Sequence, residues 1–205
     1  MTLSKVNIDN NNEALEVEMN LLRRENEELK KQIEEAKKIT GFVSDESFDY
    51  VISRISIRNP FTFYETIVIP HGKNQGIKSG MAVVTKNGLL GRIDKVNKNS
   101  STVNLITKPN NDISVIVHGV YGILSGYSRE LECLQIRNLN NYDLIEIGDL
   151  VYTSTFSELP GGILIGRVMS IDVDRHQIEK KICVESKVDL DNINYVAIIK
   201  KELLQ

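Results

Sequence analysis

Gly148-Asp149-Leu150-Val151-Tyr152-Thr153-Ser154, followed by Leu159-Pro160-Gly161-Gly162-Ile163-Leu164-Ile165-Gly166-Arg167-Val168, is the stretch on which the fold turns. A glycine opens it, a short run rich in strand formers follows, and Pro-Gly-Gly interrupts the chain before a second apolar run. β-Branched and aromatic residues bounded by turn residues predict strand, loop, strand. Gly166 sits inside the second strand. A glycine there marks a bulge or the close approach of another backbone, as at the corner of a small barrel.

An earlier stretch echoes this one. Ile77-Lys78-Ser79-Gly80-Met81-Ala82-Val83-Val84-Thr85 matches Ile145-Glu146-Ile147-Gly148-Asp149-Leu150-Val151-Tyr152-Thr153 at its Ile, Gly, Val and Thr positions. Gly88-Leu89-Leu90-Gly91-Arg92-Ile93 then answers Gly162 to Val168. Two copies imply two related β subdomains. Other short strands are expected at Ser53–Arg58, Thr66–Ile69, Ile113–Val115 and Lys181–Glu185. Between strands lie the turn signals Asn59-Pro60, Pro70-His71-Gly72, Lys86-Asn87-Gly88, Pro109-Asn110-Asn111 and Pro160-Gly161-Gly162. Such spacing favours small barrels or sandwiches.

The chain begins differently. Residues 13–38 hold neither Gly nor Pro and are dense in Leu, Glu, Lys and Arg, which favour helix. Leu15, Met19, Leu22, Asn26, Leu29, Ile33 and Ala36 recur at alternating steps of four and three, a heptad seam. Asn26 occupies a central a position, where a buried amide favours a parallel pair in one register. In that pair Glu18 meets Arg23 of the partner and Glu25 meets Lys30. Exposed pairs of this kind bear more on orientation than on strength. The other reading is a lone helix lying on its own domain. Gly41 is the expected C-terminal stop.

Bulk properties exclude several functions. With 41% hydrophobic and 26% charged residues the chain is globular in composition, and its formal net charge of −3 offers no broad attraction to nucleic acid. Its longest clean apolar runs, such as Val196-Ala197-Ile198-Ile199, are far too short to span a bilayer. The Asn-rich first twelve residues lack the layout of a signal peptide and are expected to form a disordered polar tail. Cys133 and Cys183 form no CxxC pair. Packing in strand-like segments accounts for both, with one disulfide as the alternative.

No chemistry-bearing constellation emerges. His71, His118 and His176 are scattered, without metal-ligand spacing. The order His71, Asp112, Ser154 would suit a trypsin-type triad, but Ser154 lies in Thr153-Ser154-Thr155, with a β-branched residue where glycines would make room for an oxyanion hole. Gly161-Gly162 leads into a strand rather than a helix, so it is no phosphate loop. No catalytic, cofactor or metal residue is assigned.

Taken in order, the heptad helix, the Gly-Met-x-Val strand, Gly-Leu-Leu-Gly-Arg, Gly-Asp-x-Val-x-Thr-Ser and Leu-Pro-Gly-Gly-Ile-x-Ile-Gly-Arg-Val resemble the bacterial rod-shape-determining family MreC over about residues 15–200. The resemblance implies a mainly β fold: a coiled coil and two small barrels, trypsin-like but without catalytic residues. It implies a non-catalytic scaffold of cell-wall elongation on the outer face of the cytoplasmic membrane. The implied partners are MreD, the elongation penicillin-binding transpeptidase and a second copy, with higher assemblies as an extension.

Family members usually begin with a cytoplasmic tail and one membrane helix. Neither is present here, so the expectation is a soluble piece, a truncated product or a protein that borrows its anchor. Thr155 stands where Gly commonly follows Thr-Ser, Pro70-His71-Gly72 where a basic residue commonly precedes Gly, and Phe63 where Trp is frequent.

The expected organisation is a tail over 1–12, a coiled-coil helix over 13–40, a first β subdomain over 44–118 and a second over 119–202, its last strand free to pack back on the first. Leu15, Met19, Leu22, Asn26, Leu29 and Ile33 are the expected dimer contacts. Gly80, Gly91, Gly148, Asp149, Thr153, Ser154, Pro160, Gly162 and Gly166 are the expected structural motif. The rival readings are an adaptor of the same fold in an unrelated pathway and, last, a trypsin-fold protease.

Overall fold

The computed structural model describes residues 17–30, 48–128, 132–140, 142–156, 158–172 and 179–202. Residues 17–30 form a helix, α1. The remaining described residues form a separate β unit. The expected tail and the outer turns of the expected coiled coil fall outside the described residues.

The β unit is built from strands β1 (Phe48–Arg54), β2 (Thr66–Ile69), β3 (Ala82–Thr85), β4 (Gly88–Val96), β5 (Ser101–Leu105), β6 (Ile113–Val117), β7 (Val120–Ser128), β8 (Cys133–Asn140), β9 (Leu150–Thr153), β10 (Leu164–Asp172), β11 (Glu179–Ser186) and β12 (Tyr195–Glu202). They divide into a six-stranded sheet, ordered β1-β12-β3-β4-β5-β2, and a closed barrel, ordered β10-β11-β8-β7-β6-β9. The mainly β fold expected from the sequence is the fold observed.

Three features depart from the sequence reading. The expected strand at Ser53–Arg58 is strand only through Arg54; beyond it the chain leaves β12 and touches β2 by the single bridge Ile57↔Val68. The modules part between β5 and β6 rather than at 118/119, because β6 pairs with β7 and β9 of the barrel. Cys133 and Cys183, expected as packing residues, form a disulfide between β8 and β11, with Cα atoms 5.5 Å apart. Antiparallel ladders set that approach, since β8 and β11 are neighbours in the barrel.

Burial explains why some strands alternate and others do not. In β6, Ile113, Val115 and Val117 fill the barrel while Ser114 and Ile116 face outward, the period of a half-buried strand. In the first sheet both faces are covered. Ala82, Val84, Leu89, Ala197 and Ile199 join the core continuous with the barrel. Val83, Leu90, Val196 and Ile198 join a second core of their own. A strand buried on both faces must be apolar at every position, which accounts for the unbroken Val196–Ile199 run. Each fully buried Ile or Val contributes roughly 1.5–3 kcal/mol. Gly88 sits where β4 meets β10; a Cβ there would lie 2.2 Å from the Leu164 carbonyl oxygen.

Candidate interaction surfaces

On α1, Met19, Leu22, Asn26 and Leu29 fall on one stripe by helical spacing, and all are exposed. Met19 and Leu22 keep 49% and 57% of their surface in water. Leu15 and Ile33, the outer members of the expected dimer contact, lie outside the described residues.

The glycine-rich motif builds backbone rather than chemistry. Gly80 and Gly148 both take left-handed φ, +86° and +100°. The Gly80 N–H donates to the Ile93 carbonyl and the Ile93 N–H to the Met81 carbonyl; Gly148 to Val168 and Val168 to Asp149 repeat that pair of bonds. Gly91 and Gly166 occupy matched strand positions, where a Cβ would stand 2.1 Å from the Asn104 carbonyl oxygen and 2.0 Å from that of Glu185. Even the irregularities match. Leu90 bulges between Val83↔Gly91 and Val84↔Leu89, and Ile165 between Val151↔Gly166 and Tyr152↔Leu164. The internal echo in sequence is therefore an echo in hydrogen bonding.

Thr153 ends β9, and Ser154, Pro160 and Gly162 belong to the connection by which the two copies differ. β3 and β4 are joined by residues 86–87, whereas β9 and β10 are joined by residues 154–163. The Thr153 hydroxyl donates to the Pro160 carbonyl at 2.6 Å and accepts from the Ile163 N–H at 2.9 Å. Asp149 accepts from the Glu146 N–H at 2.8 Å and lies 3.5 Å from His118 Nδ1. Ser154, 1% exposed, pairs its hydroxyl with Ser114 at 2.8 Å. His71 Nδ1 lies 2.8 Å from Ser53 Oγ, and Asp112 pairs with Arg137 at 2.9 Å. Each residue of the nominal triad is thus engaged elsewhere. Burial, and secondarily Lys200, holds the His71 pKa below its ordinary value.

One surface escaped the sequence reading. In the β8–β9 connection Tyr142, Leu144 and Ile147 are 91%, 81% and 70% exposed, beside buried Ile145. Their backbone is held on several sides. Asp143 caps the Asn140 N–H at 2.7 Å, Gly148 is bonded to Val168, and the buried Lys180 ammonium donates to the Asp143 carbonyl. Apolar side chains held outward on a pinned loop are the usual make-up of a protein contact, because little conformational entropy is left to lose on binding. The signal in sequence is a run of apolar residues between strands, but Ile145 and Ile147 also belong to the internal echo, which masks it. Elsewhere an aromatic pair, Tyr121 and Phe156, packs edge to face with centroids 5.0 Å apart, and both rings are exposed.

No helix among the described residues is long and apolar enough to cross a membrane. Residues 55–200 match the family described as rod shape-determining protein MreC, barrel core. The cell shape-determining protein MreC of Listeria monocytogenes is 29% identical over 194 residues, covering 91% of this chain and 63% of its own length. The chain therefore spans less than two thirds of that relative. A solved MreC structure from Listeria superposes with a TM-score of 0.70 at 26% identity, covering 92% of this chain and 94% of the other. A chain in the complex between penicillin-binding protein PBP2 and MreC from Helicobacter pylori shares the fold, with a TM-score of 0.59, 17% identity, and coverage of 75% and 99%. On the match of its two β modules, the chain belongs to the MreC rod shape-determining family.

Proposed function

We propose that this chain is a non-catalytic scaffold of bacterial cell-wall elongation, acting through self-association and through contacts with wall-synthesis proteins. The observation that carries this reading is the match of residues 55–200 to the family's barrel core. The surfaces agree with a binding role: an exposed heptad stripe on α1, and a pinned loop presenting Tyr142, Leu144 and Ile147. The PBP2–MreC complex from Helicobacter pylori supports a penicillin-binding transpeptidase as partner. The Cys133–Cys183 disulfide suits an oxidising compartment and supports a place outside the cytoplasmic membrane. Pairing through α1 doubles local valence, so that weak contacts act together. Asn26 fixes the register of that pair and the Glu18–Arg23 and Glu25–Lys30 contacts fix its direction.

Sedimentation velocity tests both halves of the proposal. Residues 1–205 are expected to sediment as a dimer, residues 44–205 as a monomer, and the former with the elongation transpeptidase as a larger complex. Serine at Tyr142, Leu144 and Ile147 together is expected to weaken that complex at least tenfold while leaving the dimer unchanged. Monomers from both lengths at tens of micromolar would remove the self-association; absence of any complex would remove the transpeptidase.

A further inference from the structure

A cleft of about 720 Å³ opens within the β unit. Met81, Ile199 and Lys200 line it, together with Leu159 and Pro160 of the 154–163 connection. Strand pairing explains the opening. β12 pairs with β1 along its whole length, from Arg54↔Tyr195 to Phe48↔Glu202. β3 covers β12 only at Val84↔Ala197 and Val83↔Ile198. From Ile199 onward the edge of β12 turned away from β1 has no strand against it among the described residues. An uncovered edge carries backbone N–H and C=O groups that an added strand can use.

The same edge is cationic. The β1–β12 register slips between Tyr50↔Ile199 and Asp49↔Lys201, leaving Lys200 without an opposite residue, and such bulges re-aim a side chain. Lys200 and Lys78 line the cleft. Lys78 also borders, with Lys73, an adjoining hollow of about 490 Å³ lined by Ile77 and Val96. Lys200 Nζ stands 3.5 Å from where a Cβ on Gly76 would lie, which brings it to that hollow. These three lysines have no carboxylate partner among the described residues. The acid lining the cleft, Glu158, is within 3.7 Å of Arg92. A chain of net charge −3 thus gathers, among the described residues, three lysines without a carboxylate partner at one sheet edge. The exposed apolar side chains that could enter a bilayer, such as Phe61 and Tyr142, line neither hollow.

We propose that this cleft receives an extended acidic segment of a partner polypeptide, added as a strand along Ile199–Glu202 with its carboxylates against Lys78 and Lys200. The edge calls for a polypeptide and the lysines call for an acidic one. Fluorescence anisotropy of a labelled ten-residue peptide alternating Glu and Val, titrated with the full chain at low salt, tests it. Binding is expected, falling more than tenfold when alternate peptide nitrogens are methylated, and likewise with Lys78→Glu plus Lys200→Glu. Lys78→Gln plus Lys200→Gln is expected to give a smaller loss and serves if the reversed pair fails to fold. No binding at about 1 mM peptide would overturn the proposal. Undiminished binding of the methylated peptide, or equal competition by inorganic polyphosphate, would leave only a charged patch. Loss of self-association in the lysine variants would make the occupant a second copy of the chain and overturn it too.

Discussion

In the closed barrel β7 and β8 share a ladder that runs from Ile123↔Arg137 to Ser128↔Cys133. Their counterparts in the first module, β1 and β2, share no ladder among the described residues; only the chain following β1 reaches β2, by the isolated bridge Ile57↔Val68. The other strands correspond in the order in which they pair: β3, β4 and β5 with β9, β10 and β11, and β12 with β6. The sixth strand comes from opposite ends of the two sets. β6 is the first strand of its module and forms a tight hairpin with β7, whereas β12 follows the last barrel strand, β11, and returns to lie beside β1. A local hairpin has little loop entropy to overcome; a strand returning from the end of the chain has much more. The barrel also has the Cys133–Cys183 crosslink, and the first sheet has instead a second buried face.

The widest separation of the two modules should come from removing residues 195–205. Without β12, β1 and β3 lose their shared partner, and the second core loses Val196 and Ile198. Amide hydrogen exchange should show the first module unprotected and the barrel still slow. Protection retained across β3 to β5 would break the assignment of β12 as the missing sixth strand.

Replacing Cys133 and Cys183 together by serine should act on the other module. Closing a loop over a sequence separation of 50 is worth about 2–4 kcal/mol. Urea unfolding followed at the barrel should shift by that amount, with little change in the first module. Equal loss in both would mean that the unit unfolds as one body.

The smallest contrast lies within the echo itself. Gly91→Ala and Gly166→Ala each force a methyl toward a carbonyl oxygen and should cost about 1–3 kcal/mol apiece. Gly80→Ala and Gly148→Ala meet nothing within 4 Å and carry only the strain of positive φ, about 1 kcal/mol. Denaturant midpoints of the four variants should fall in two matched pairs; a mismatch within either pair would show that the copies have diverged in backbone.

Much of the fold was legible because its signals are local. Pro109-Asn110-Asn111 and Lys86-Asn87-Gly88 end strands by their own turn chemistry, and Asn110 takes φ +58°. The Ile113–Val117 alternation needs only one buried face to be recognised. The interaction surfaces were less legible. The heptad stripe shows in sequence because period carries it. The prominence of Tyr142, Leu144 and Ile147 depends on Lys180, from β11, holding the Asp143 carbonyl of their loop, and on the Asp143 carboxylate capping the end of β8.

The sequence by itself therefore determined the strand and turn alphabet, the paired glycines and the heptad stripe. Those follow from φ preferences, side-chain period and the space a missing Cβ leaves, each readable within a few residues. Tertiary structure alone decided that β12 completes the first sheet, that Cys133 meets Cys183, and that β3 leaves the end of β12 uncovered. Those are pairings between residues far apart in the chain. They are settled by which apolar faces can be buried together, and no short stretch of sequence contains that competition.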